Sequence, residues 1–209
     1  MTTYQIEVKQ CPNCNCKFAV LNVGSCNTFG AKFYTDGFVS GPMYDEGDAL
    51  LICPNCDKYF WREDIPTQEI VRDSEFFRDP AKRSLPNAKR VYARNYENTL
   101  RQALWKNKAQ EKYIRIRAWW SFNSSYRSHP TKDFTLPFEQ EANLRSLLQL
   151  LDTNDPYTSI IKAEILRELG EFNESLAVID QTFDDRYLQV VDVIKRLAKS
   201  GNRQVGTIE

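Results

Sequence analysis

Hydrophobic and polar positions alternate in short runs over the first third of the chain and then switch to a helical period. Tyr4-Gln-Ile-Glu-Val alternates polar with apolar, the pattern of a half-buried strand. Lys17-Phe-Ala-Val-Leu, Ala49-Leu-Leu-Ile and Lys58-Tyr-Phe-Trp are similar short runs. Residues 22–48 are punctuated by Gly24, Gly30, Gly37, Gly41-Pro42 and Gly47, which signal turns rather than helix. Lys32-Phe-Tyr-Thr within that stretch predicts one more strand, ending at the turn Asp36-Gly37. Residues 62–94 are polar, carry Pro66, Pro80 and Pro86, and read as a linker with short helical turns.

From Asn95 the apolar positions recur at helical spacing. Asn95 is an N-cap candidate for a helix over 96–107, with Tyr96, Leu100, Ala103 and Leu104 on one face. A second helix over 109–126 carries Tyr113, Ile116 and Trp120. Ser128-His129-Pro130 then interrupts the pattern. A third helix over 138–151 carries Ala142, Leu144, Leu147, Leu148 and Leu151. Asp155-Pro156 starts a fourth over 156–169, which Gly170 ends. A fifth spans 172–183, and a sixth over 185–200 aligns Tyr187, Val190, Val191, Ile194 and Leu197 before Gly201. Short loops between them imply helical hairpins, and the tail from Asn202 reads as frayed.

Charge adds an asymmetry that the net value of +0 conceals. Residues 1–79 hold 7 basic against 12 acidic side chains, and residues 135–209 hold 8 against 13. Residues 80–130 hold 12 against 2. A basic middle between acidic flanks either binds an anionic partner or is neutralised within the fold, and we expect the second slightly more. No run approaches the ~20 apolar residues of a membrane span, so no membrane partner is expected. The first residues lack a basic segment followed by an apolar one. A cytoplasmic location with reduced thiols is the expectation.

The cysteines carry the chemistry. Cys11-Pro-Asn-Cys14 and Cys53-Pro-Asn-Cys56 are identical tetrapeptides, each beside strand-like residues. A Cys-x-x-Cys turn presents two thiolates to one side of a tetrahedron, and two such turns complete a four-sulfur zinc shell. With 38 residues between Cys14 and Cys53, against about 15–20 in the usual pairing, the site implies an inserted loop or hairpin at 22–48. A redox pair is the competing reading of Cys11 and Cys14, but a matched second pair argues against it. Disulfides are disfavoured by the missing leader, and Cys16 and Cys26 are expected to be small buried hydrophobes. Four protein thiolates leave no open coordination position, so one structural Zn2+ per chain is expected.

A catalytic constellation is missing from the pattern. His129 is the single histidine, which removes most general-base triads, and no phosphate-binding glycine loop is present. Asp45-Glu46-Gly47-Asp48 lacks the full pattern of a calcium loop and reads as a solvated turn. The chain is therefore expected not to be an enzyme.

Ala163, Leu166, Gly170, Phe172, Ser175 and Ile179 follow one another at the spacing of a tetratricopeptide repeat over 156–189, with Thr182 where the pattern has alanine. The segment resembles that repeat, and the chain is similar to uncharacterised bacterial proteins joining an N-terminal zinc ribbon to a tetratricopeptide-like helical region. The resemblance implies an α+β chain: a small β-rich zinc ribbon with an inserted loop at 1–65, a linker at 66–94, a TPR-like region of α-helical hairpins at 95–201 and a tail at 202–209. Two functions stay open. One is an adaptor that binds a protein partner through stacked hairpins. The other is nucleic-acid binding through the ribbon and the basic-aromatic segment 80–130, with Arg94, Arg101, Lys108, Arg115 and Arg117 as candidate contacts. An overall pI of 6.6 favours the adaptor.

Overall fold

The structure is a computed structural model that describes residues 3–129, 133–151 and 155–208. Pro130, expected in the loop after the second helix, lies outside them. The elements run in the order β1 (Thr3–Gln10), β2 (Lys17–Ser25), β3 (Lys32–Tyr34), β4 (Val39–Ser40), β5 (Leu50–Ile52), β6 (Tyr59–Trp61), β7 (Thr67–Arg72), α1 (Asp73–Arg78), α2 (Pro80–Arg83), α3 (Ala93–Gln102), α4 (Lys108–Ser128), α5 (Phe138–Leu148), α6 (Pro156–Leu169), α7 (Phe172–Val178), α8 (Asp185–Lys199) and β8 (Thr207–Ile208). The mixed α+β class is as expected. The elements sort into two units: Met1–Ala31 with Gly41–Val91, and Lys32–Ser40 with Tyr92–Glu209.

In the first unit β1 is the centre of a three-stranded antiparallel sheet in the order β2-β1-β7. Ile6 and Val8 project to one side, against Ala19, Val71 and Phe76. On the other side Glu7 and Lys9 are buried as well, because they satisfy each other and the chain around them. Lys9 donates its ammonium to the Ile65 carbonyl at 2.7 Å, the Arg62 carbonyl at 3.2 Å and Thr67 Oγ1 at 3.0 Å. Glu7 accepts from Arg62 at 2.8 Å. Burial pushes the Glu7 carboxyl upward, but Arg62 and Lys9 outweigh it and hold the group below its ordinary range.

The expected linker at 66–94 is therefore not one. Thr67–Arg72 is an edge strand whose backbone pairs with β1, although its sequence is mostly polar. Further on, Ala19 N–H donates to the Pro86 carbonyl, Ala88 N–H to the Ala19 carbonyl and Lys89 N–H to the Ile52 carbonyl. Residues 86–89 thus stitch β2 to the β5-β6 hairpin.

The second unit is built on the helices, with a small sheet in the order β4-β3-β8. The loop expected within 22–48 does contain a hairpin, but its residues 32–40 belong to this unit, where β3 pairs with β8. The tail expected to fray thus ends in a paired strand. Gly37 closes the β3-β4 turn at φ +80°, and a Cβ there would lie 2.6 Å from Tyr157 Oη and 3.1 Å from Ile161 Cδ1. Gly37→Ala is expected to lower the stability of this unit by about 1–3 kcal/mol, from left-handed strain and overlap together. A shift of the urea midpoint at unchanged slope would show it, and an unaltered midpoint would refute it.

Helix boundaries follow local chemistry. Asn107 and Asp155 cap α4 and α6 by accepting from Gln110 N–H at 2.9 Å and Thr158 N–H at 2.8 Å. Gly170 ends α6 in the left-handed region at φ +88°. Asn95 is not the N-cap of α3. Tyr92 is, and Asn95 Oδ1 accepts from Tyr92 N–H at 2.8 Å from inside the first turn. α3 stops at Gln102 because Ala103 takes φ +50°, α5 stops at Leu148, and α7 stops at Val178 although Phe183 beyond it is buried.

Two clusters of buried apolar side chains stand out among the described residues of the unit. One gathers Ile160, Ala163, Ile179, Phe183, Val191 and Ile194, and the other Trp119, Leu144, Leu147, Ile161 and Ile165. On α4 the buried line is Gln110, Ile114, Ala118, Trp119 and Asn123, while the expected stripe of Tyr113, Ile116 and Trp120 is only half-buried. The buried polar residues Gln110 and Asn123 hid that line from a hydrophobicity reading. No helix among the described residues is long and apolar enough to cross a membrane.

Candidate metal centre

The two Cys-Pro-Asn-Cys segments fold into matching turns. Asn15 N–H donates to the Cys11 carbonyl and Asp57 N–H to the Cys53 carbonyl. Each loop then closes, with Cys11 N–H donating to the Cys16 carbonyl and Cys53 N–H to the Lys58 carbonyl, both at 2.9 Å. Asn15 and Asp57 adopt φ +59° and +58°, left-handed conformations that these residue types tolerate. Local sequence builds each half within its own hairpin, β1-β2 or β5-β6, and residues 86–89, bonded to Ala19 of β2 and Ile52 of β5, link the two hairpins.

Cys11, Cys14, Cys53 and Cys56 converge, their sulfurs all within 4.8 Å of one another. The Cys11–Cys56 and Cys14–Cys53 separations are both 3.7 Å. Thiolates at about 2.3 Å from a tetrahedral zinc lie about 3.8 Å apart, so the cage already has the dimensions of a metal shell. Cys11 and Cys53 are fully buried among Phe18, Val20, Leu51 and Ile65, while Cys14 and Cys56 are half-buried. The described cluster can hold a metal ion.

The thiols differ in electrostatics as their burial suggests. Desolvation pushes Cys53 up to about 12 and raises Cys11. The Asn55 side chain, with the Cys16 backbone, brings Cys14 down to about 6. The Lys58 backbone lowers Cys56, and the Asn13 side chain adds to it. Each asparagine therefore hydrogen-bonds the second cysteine of the opposite turn. The Cys-x-x-Cys pattern assigns no role to Asn13 and Asn55, and their identity in both tetrapeptides is the signal the sequence carries. A bound cation would remove the remaining thiol protons, since a coordinated thiolate is stabilised by the ion's own charge.

The other cysteines stand apart from the cage. Cys16 is half-buried against the same cluster, and Cys26 is exposed, contrary to the buried role expected for it in a turn-rich segment. His129 is exposed at the end of α4. In the acidic turn, Asp45 Oδ1 accepts from Gly47 N–H at 2.8 Å.

The five basic candidates lie on α3 and α4. Arg94, Arg101 and Lys108 are exposed. Arg115 is paired with Glu111 at 2.7 Å and covers the Trp105 ring at 5.4 Å. Arg117 lies 5.1 Å from the rings of both Tyr113 and Trp120. Two of the five thus pack their guanidinium groups on the unit's own aromatic rings.

A second polar cluster, in the helical unit, has no counterpart among the sequence expectations. Glu164, Arg167 and Glu168 on α6 are fully buried. Arg167 grips Glu164 through Nε at 2.8 Å and Nη2 at 2.5 Å, and donates Nη1 to the Asn202 carbonyl. Thr35 in the hairpin donates its hydroxyl to Glu164 and accepts from Gly206 N–H at 2.8 Å. Asp36 is buried beside Arg127, which forms an ion pair with it and lies 4.2 Å from the Phe38 ring. Charged residues within an apolar helical run were the visible trace, but no spacing rule pairs them.

The chain matches no protein-family model, no curated protein and no solved structure.

Proposed function

We propose that this chain is a non-enzymatic, zinc-stabilised adaptor that binds a protein partner in the cytoplasm. The carrying observation is the four-cysteine cage, whose 3.7 Å sulfur separations suit a tetrahedral ion. Tetrahedral sulfur shells favour zinc or iron. With no further ligand position the ion stabilises the fold rather than reacts, and the zinc ribbon it closes serves as a docking platform. The tetratricopeptide-like reading of the second unit draws support from the contact between α6 and α7. Ala163 and Ser175 are both fully buried, and Ser175 Oγ donates to the Ala163 carbonyl at 2.7 Å. Small residues at these positions let the two helices approach closely, as stacked helical hairpins require.

Nucleic-acid binding is the second reading, resting on exposed Arg94, Arg101 and Lys108. The aromatic engagement of Arg115 and Arg117 counts against it. An affinity pull-down from the native cell with the zinc-loaded chain tests the adaptor: a stoichiometric protein partner is expected. In a gel shift at low salt, no retardation of generic single- or double-stranded nucleic acid is expected. Salt-sensitive binding lost on substituting Arg94, Arg101 and Lys108 together would transfer the proposal to nucleic acid.

A further inference from the structure

The buried cluster of the helical unit contains three carboxylates, Asp36, Glu164 and Glu168, against two guanidiniums, Arg127 and Arg167. Both arginines are committed elsewhere than to Glu168. Arg167 is bidentate on Glu164, and Arg127 pairs with Asp36 while donating Nη1 to the Trp120 carbonyl at 2.8 Å. Among the described residues the donors to the Glu168 carboxyl are neutral: Trp119 Nε1–H at 2.7 Å on Oε2 and Asn123 Nδ2–H at 2.9 Å on Oε1. The same Asn123 amide donates to Asp36 Oδ2 at 3.0 Å. One NH2 group therefore separates the two acids, and among the described residues the Asn123 oxygen is left buried without a partner.

The geometry points to a proton-controlled latch: Glu168 stays neutral while the Asp36 turn is docked beside it, and loss of the Glu168 proton to solvent drives that turn out. A buried uncompensated carboxylate is costly, and a second carboxylate across one amide makes it costlier. The hairpin is the movable side. It is held by the Asp36–Arg127 pair, by the Trp120 indole N–H donating to the Asp36 carbonyl at 2.9 Å, by the Thr35 hydroxyl between Glu164 and Gly206, and by the two-residue pairing of β3 with β8. Around Glu168 the ionisable neighbours are Asp36 on the hairpin, Arg127 on α4, and Glu164 and Arg167 on α6. Arg203 in the C-terminal segment donates to the Glu168 backbone carbonyl at 2.8 Å. Glu139 and Arg145 on α5 and Asp192, Arg196 and Lys199 on α8 are exposed, and Lys195 is half-buried.

Burial first, and the charge of Glu164 next, raise Glu168 from the ordinary 4.5 to about 8. A carboxyl whose proton is held more tightly in the docked state stabilises docking fully at low pH. That contribution falls about tenfold per pH unit above the ordinary value and is exhausted once the pH passes the docked value. The window for release is therefore pH 5 to 8. Opening uncovers the face of α4 that carries Trp120, Asn123 and Arg127.

The test follows the tryptophan indole N–H resonances of the full zinc-loaded chain from pH 5 to 9, together with exchange protection of the Thr35 and Gly37 amides corrected for intrinsic rate. The expected result is protection falling about tenfold per pH unit up to about pH 8 and then levelling. The Trp120 indole resonance should move in parallel. Glu168→Gln should make both flat while the helical circular dichroism is unchanged. Flat wild-type profiles, or a transition that persists in Glu168→Gln, would overturn the latch. Should that variant not fold, carbon-13 titration of the wild-type Glu168 carboxyl decides: a midpoint well above the ordinary 4.5 is expected, and one at the ordinary value refutes it.

Discussion

Cys53→Ser is expected to abolish metal binding and unfold the first unit. Cys53 is fully buried and its sulfur lies 3.7 Å from that of Cys14, on the inner edge of the cage. A serine hydroxyl is a harder, less acidic ligand that cannot replace a thiolate at a soft site. Structural zinc contributes about 10–16 kcal/mol in small peptides, as much as the about 5–15 kcal/mol stability of a whole domain. Beside the cage, β5 and β6 are held near β2 by the backbone bonds of residues 86–89 and the small cluster of Phe18, Val20, Leu51 and Ile65. Elemental analysis should find one zinc per wild-type chain and none in Cys53→Ser, with loss of amide protection across β1, β2 and β7. Exposed Cys26 provides the contrast: Cys26→Ser should leave both measurements unchanged. A Cys53→Ser protein that keeps its metal and its protection would refute the four-thiolate shell. Chelation of the wild type should reproduce the variant.

Arg167→Met is expected to cost the second unit about 3–5 kcal/mol, the range for removing one partner of a buried ion pair. The guanidinium is fully buried, bidentate on Glu164, and also holds the Asn202 carbonyl. Its removal leaves the Glu164 carboxylate in the interior with the Thr35 hydroxyl as its remaining donor among the described residues. Urea unfolding measures the loss. The double variant Glu164→Gln/Arg167→Met should recover part of it, because the remaining cost of a buried unpaired charge is then gone. Equal stability of the single variant and wild type would show that the pair contributes nothing to the fold.

Cys53 and Arg167 differ in how far the local sequence marks them. Cys53 could be singled out from the sequence, since Cys-Pro-Asn-Cys is a local signal and its repetition points to one site. The Asp155-Pro156 start and Gly170 stop of α6 were equally readable, because caps depend on residues three or four positions apart. Arg167 could not be singled out. Its environment depends on Thr35 and Asn202, which are distant in the chain.

β7 and residues 86–89 read as a linker in the sequence for a related reason. Backbone pairing needs no apolar side chain, so Thr67–Arg72 joins β1 with mostly exposed, polar residues. The hairpin 32–40 was legible as strand and turn, but its place among the helices was not. Helices α3 to α8, the Asp155 and Gly170 ends of α6 and the four cysteines of the cage follow from short-range spacing and side-chain type, whereas the Tyr92 cap of α3 and the short helices α1 and α2 do not. Long-range packing places Asp36 against Asn123, 87 positions away, and gathers three acids and two arginines in one interior. A charged group goes inside only where partners are already held in place, and those partners are assembled by folding.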